Sequence, residues 1–124
     1  MIQDRSFLKL ADNSGAKLVQ CIKVYKSKKA IIGSVLLVAV KQTRMQSKLK
    51  KGELYKAILV RLNILVSRKN GNYLKCSENA VVLLNAKNEF FGTRVIGPIT
   101  NELRKKKLTK ILSLAKFIIQ NFVV

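Results

Sequence analysis

The run Ala30-Ile31-Ile32-Gly33-Ser34-Val35-Leu36-Leu37-Val38-Ala39-Val40 decides how this chain folds. It is the longest uncharged apolar stretch in the sequence. It is about half of the ~20 residues that a membrane-spanning helix needs. It therefore reads as a buried strand rather than a membrane anchor. From Ser34 to Val40 it is almost wholly aliphatic, as expected of a strand covered on both faces.

Strand patterns continue on either side. Upstream, Ala16 to Tyr25 alternates. Leu18, Gln20, Ile22 and Val24 share one face, while Lys17, Val19, Cys21 and Lys23 share the other, which the lysines mark as partly solvated. Phe7 to Leu10 reads as a short strand, closed by the turn formers Ala11-Asp12-Asn13-Ser14-Gly15. Tyr25 to Ala30 is a lysine-rich turn. Downstream, Arg44 to Gly52 is the most basic loop, and Leu54 to Val66 reads as a long strand carrying Arg61. Arg68-Lys69-Asn70-Gly71 is a hairpin tip, because Asn-Gly suits a type I′ turn. Tyr73 to Cys76 and Ala80 to Leu84 follow as short strands. Strands at this spacing, without intervening helices, predict a mainly β barrel or sandwich over about residues 1–99.

Beyond Pro98 the pattern changes. Thr100 is placed to cap a short helix holding Glu102, Leu103 and Arg104. From Leu108, the residues Ile111, Leu112, Leu114, Ala115, Ile118, Ile119 and Phe122 fall at helical spacing and predict an amphipathic helix. Residues 100–124 are thus expected to be a helical segment of one domain spanning 1–124. The apolar tail from Lys116 to Val124 is expected to extend that helix, burying Ile118, Ile119 and Phe122 against a neighbouring protein or back on the barrel.

Composition limits the partners. The chain has 124 residues, a 48% hydrophobic fraction, and 25 Lys and Arg against 6 Asp and Glu, for a net charge of +19. The aliphatics are enough for a core, so this is no disordered basic tail. The charge calls for a polyanion, with nucleic acid first and an anionic membrane surface second. Such a partner explains a lysine-bearing strand face at Lys17 and Lys23.

Enzymatic chemistry is excluded on several grounds. There is no histidine, so the usual general base and commonest metal ligand are missing. The acids Asp4, Asp12, Glu53, Glu78, Glu89 and Glu102 never pair at short spacing. Asp12 and Glu53 sit at turns, where carboxylates usually accept from backbone N–H groups. Cys21 and Cys76 have no CxxC partner and read as reduced apolar residues. Neither a cofactor nor a metal is expected.

Two clusters are candidate phosphate contacts. The first is Lys41, Arg44, Lys48, Lys50 and Lys51, a finger of lysines suited to phosphates because a point charge needs no fixed geometry. The second is Arg104-Lys105-Lys106-Lys107. Lys17, Lys23, Arg61, Arg68 and Lys69 complete the set. The aromatic residues are scattered, and core packing is the favoured reading for most of the rings. Recognition is therefore expected to go by backbone shape and charge.

Specific segments carry a family resemblance. They run from Met1-Ile2-Gln3 through Ala11-Asp12-Asn13-Ser14-Gly15-Ala16 and Cys21-Ile22-Lys23-Val24 to Lys50-Lys51-Gly52. They continue with Ala57-Ile58-Leu59-Val60, Asn70-Gly71 and Asn79-Ala80-Val81-Val82-Leu83. Gly92-Thr93-Arg94, Gly97-Pro98, Glu102-Leu103-Arg104 and Ser113-Leu114-Ala115 close the set. On these the chain resembles the universal large-subunit ribosomal protein numbered fourteen, in its bacterial and organellar form. The resemblance implies a five-stranded small barrel, a protruding β-ribbon and short C-terminal α-helices. It also implies binding to large-subunit rRNA, the large-subunit proteins numbered three and nineteen as neighbours, and a bridge to small-subunit rRNA. A ribosome-silencing factor docks on this family, and Thr93, Arg94 and Lys110 form the surface expected to receive it; Arg94 contacting rRNA instead is the alternative. The sequence departs from the family pattern at Cys76, at Ser34 and in its apolar tail. Its richness in Lys, Asn and Ile, with Met1 and no transit peptide, points to a mitochondrial ribosome, with a plastid or an AT-rich bacterium as alternatives. A free RNA chaperone is the competing function.

Overall fold

The structure is a computed structural model that describes residues 2–26, 28–67, 71–100, 102–105 and 109–119, with 104, 105 and 116–119 described by backbone alone. Alternation and aliphatic runs produce strands β1 (Phe7–Leu10), β2 (Ala16–Val24), β3 (Val35–Thr43) and β4 (Leu54–Arg61). A small hairpin of β5 (Val66–Ser67) and β6 (Tyr73–Leu74) follows, and then β7 (Ala80–Leu84). Strands β1, β2, β3, β4 and β7 form a closed barrel. Neighbours pair antiparallel except at the closure, where β1 meets β7 in parallel through Lys9↔Ala80 and Leu10↔Val81.

The barrel interior is aliphatic. Leu8, Val19, Leu36, Val38, Val40, Leu59, Val60 and Leu83 are fully buried. Among the described residues no aromatic ring is buried, which corrects the expectation that most rings pack in the core. Phe7 is 57% and Tyr73 68% exposed. A small barrel has room for branched aliphatics from alternate strands and little for rings.

The solvated face of β2 is also corrected. Val19 and Cys21 lie in the core, whereas Ile22 is 41% exposed. Register shifts at Ala16/Leu18 and Cys21/Lys23 break the strict alternation, so Ala16 and Val24 are buried as well. Likewise β4 stops at Arg61 instead of running to Val66. The Asn79 side chain accepts from the Asn63 amide at 2.8 Å, which diverts the chain from the ladder. Strands β5 and β6 pair as a separate two-stranded sheet outside the barrel.

The last segment differs most. It forms β8 (Val95–Thr100), α1 (Glu102–Lys105), α2 (Thr109–Leu114) and β9 (Ala115–Ile119). β9 runs parallel to β8, with Val95↔Ala115 and Thr100↔Ile119. The expected helix through Phe122 therefore ends at Leu114, and Ile118 and Ile119 lie on a strand. How their side chains and Phe122 pack falls outside the described residues. Ile99, Leu103, Ile111 and Leu112 seal this unit against the barrel core. Thr100 ends β8, and its buried hydroxyl finds no partner among the described residues, so it does not cap α1. No helix of the described residues is long and apolar enough to cross a membrane.

Candidate nucleic-acid interface

Three of the six acids, Asp12, Glu53 and Glu78, are engaged by neighbouring residues. Asp12, 5% exposed, accepts from the Leu83 amide at 3.1 Å and the Ser14 hydroxyl at 2.7 Å. Burial pushes its carboxyl above the ordinary 3.8, partly offset by these hydrogen bonds. The Tyr55 hydroxyl donates to Glu53. Burial, and then the Glu53 carboxylate, push Tyr55 up to about 12. Glu78 pairs with Lys9 at 3.1 Å and with Arg61 at 3.2 Å.

Arg61 corrects an expectation. The sequence groups it with the basic loop as a phosphate contact, on charge density. It is 7% exposed, and one end of its guanidinium donates to the Ile96 carbonyl at 2.9 Å and the Pro98 carbonyl at 3.4 Å. The other end holds Glu78. Arg61 thus ties β4 to β8. Gly97 makes this possible: its φ is +85°, and Gly97-Pro98 lies inside β8.

The basic loop keeps its charges outside. Arg44, Lys48, Lys50 and Lys51 are exposed. None makes an ion pair among the described residues. The loop itself is anchored. The Arg44 amide donates to the Gly15 carbonyl at 2.8 Å, the Gly52 amide to the Val40 carbonyl at 2.8 Å, and Leu49 is buried. It is therefore a fixed basic surface, not a free finger. Lys17 is exposed on β2 and shares a hollow with Arg44, while Lys41 is half-buried on β3. Arg44 and Lys48 border a second hollow with Phe91 and Thr93.

Lys23 lies elsewhere, beside Lys28 and Lys29 in another hollow. Its ammonium sits 5.6 Å from the Tyr25 ring centroid, and that of Lys56 lies 5.8 Å from the same ring. Lys56 and Lys28 were missed by sequence reasoning; the outward position of Lys56 in Leu54-Tyr55-Lys56-Ala57 was the available signal. Arg68 and Lys69 lie outside the described residues, as do Lys106 and Lys107 and the side chains of Arg104 and Lys105.

Thr93, Arg94 and Lys110 are exposed. Asn13 organises the first two, accepting from the Thr93 amide at 2.8 Å and the Arg94 amide at 3.4 Å and donating to the Thr93 hydroxyl at 2.9 Å. Lys110 lines a different hollow with Lys56 and Phe90, its ammonium 5.9 Å from the Phe90 centroid. Thr93 and Lys110 thus line different hollows, and Arg94 lines neither of them.

One comparison with known proteins bears on this arrangement. The family model described as ribosomal protein L14p/L23e matches residues 1–119, nearly the whole chain. The barrel agrees with the fold that the sequence resemblance implied. The chain belongs to the ribosomal protein L14p/L23e family and is a structural constituent of the large ribosomal subunit.

Proposed function

We propose that the chain binds large-subunit rRNA through the surface bearing Lys17, Arg44, Lys48, Lys50 and Lys51. One observation carries this reading. These five cations are exposed and make no ion pair among the described residues, whereas Asp12, Glu53 and Glu78 are engaged by other residues. A chain with a net charge of +19 calls for a polyanion, and exposed, unpaired cations suit phosphate. Lys23, Lys28 and Lys56 form a second contact of the same kind. Arg104 to Lys107, with Arg68 and Lys69, add phosphate contacts by their charge.

The family resemblance supports the large-subunit proteins numbered three and nineteen as neighbours, and a bridge to small-subunit rRNA. The same resemblance supports a silencing-type factor contacting the exposed residues Thr93, Arg94 and Lys110. The Lys, Asn and Ile content supports a mitochondrial ribosome. Lysine footprinting with an amine-reactive acetylating reagent tests the rRNA surface. Lys17, Lys48, Lys50 and Lys51 are expected to be protected in intact large subunits relative to the free chain. Equal modification in both contradicts the reading.

A further inference from the structure

We propose that the hollow between Arg44 and Phe91 seats one unpaired nucleotide of the bound RNA, its phosphate on Arg44 and Lys48 and its base against the Phe91 ring. The proposal rests on the rRNA-binding reading and adds the chemistry of one subsite.

The hollow has a volume of about 390 Å³ and no carboxylate in its lining. Arg44 and Lys48 supply positive charge to its lining. Phe91, 37% exposed, adds an aromatic surface to the same lining. Tyr55 holds that ring edge-to-face, with centroids 5.1 Å apart and planes at 86°. The Thr93 hydroxyl accepts from Asn13, and its own proton is left for a base or ribose acceptor.

The walls are fixed before any ligand arrives. Arg44 is tied to Gly15 through the backbone, and the Ser47 hydroxyl bridges the Leu49 amide and carbonyl at 2.9 and 3.1 Å. A Cβ on Gly15 would lie 2.8 Å from the Ser47 hydroxyl, and one on Gly92 2.7 Å from the Asn13 side-chain oxygen. The loop and the Phe91–Thr93 segment therefore close on residues 13–15 with no slack. Such a seat binds without paying for loop ordering.

Three other hollows lack the combination. One includes Asp4, and one includes Asp12 and Glu78. In the third, Lys110 already covers the Phe90 ring. Cations alone would accept any phosphate; cations sharing a hollow with an exposed ring favour a nucleotide whose base is out of the stack.

The test compares two RNA hairpins of equal length and charge, one with a single-nucleotide bulge and one fully paired. The intact chain is expected to bind the bulged hairpin about tenfold tighter, the range that stacking of one base supplies. Phe91→Leu is expected to erase the preference with the salt dependence unchanged, and Phe91→Tyr to keep it. Equal affinity of the unaltered chain for the two hairpins overturns the seat but leaves the rRNA reading standing. A preference that survives Phe91→Leu also overturns it. Binding to neither hairpin sinks the rRNA reading itself. Adenosine monophosphate is expected to compete for the bulged hairpin; competition by hexaglutamate alone assigns the hollow to a protein and overturns the proposal.

Discussion

Arg61 occupies the space that a side chain at Gly97 would need. A Cβ built on Gly97 lies 2.1 Å from one terminal nitrogen of the Arg61 guanidinium. That nitrogen is held in place by its hydrogen bond to the Ile96 carbonyl. The join between the barrel and the β8–β9 unit is thus a cation laid over a glycine.

Gly97→Ala is expected to destabilise the chain by roughly 2 kcal/mol or more, from the positive φ and the displaced guanidinium together. Urea unfolding measures it. In an Arg61→Met background the cost should fall clearly, because the clash is gone and only the backbone strain remains. Strict additivity of the two substitutions contradicts the account. Arg61→Lys should behave like a loss, since an ammonium cannot span Ile96 and Glu78 as a fork does.

Asp12 gives the pH dependence. Its carboxyl is raised by burial, so the protonated form is favoured in the folded chain. Its contribution to stability is complete below the unfolded value of 3.8 and is lost as pH rises through the folded value. Chemical denaturation across this acidic interval should show that decline, and Asp12→Asn should flatten it. Asp12→Ala leaves the buried Leu83 amide without its acceptor and should cost about 1–3 kcal/mol at neutral pH.

The barrel was legible because its signals are local. An aliphatic run from Val35 to Val40 and turn residues at Asp12 to Gly15 need no distant partner to be read. The C-terminus was not. Ile111, Leu114, Ile118 and Phe122 keep helical spacing, yet Ala115–Ile119 pairs with β8. An apolar run rich in isoleucine fits strand or helix equally, and an open strand edge nearby settles it. Arg61 was misread for a related reason. Its partners Glu78, Ile96 and Pro98 are 17 to 37 positions away, so its burial left no mark on neighbouring residues. Cations such as Lys48 and Lys50 were legible because a solvated charge requires no partner.

Thr100 offers a gain in stability. Its hydroxyl is buried without a partner among the described residues. Thr100→Val keeps the shape and removes the desolvated group, so it should stabilise by about 1 kcal/mol. A loss of stability in thermal unfolding would reveal a partner for the hydroxyl.

The central claim is that the surface around Arg44 binds rRNA phosphates by charge. Each phosphate contact contributes about 0.7–0.9 to the slope of log affinity against log salt. The decisive measurement is that slope for a large-subunit rRNA fragment, taken for the unaltered chain and for Lys48→Gln/Lys50→Gln/Lys51→Gln. The account predicts a slope shallower by about 2–3 units in the triple variant. An unchanged slope, with the variant folded, contradicts it.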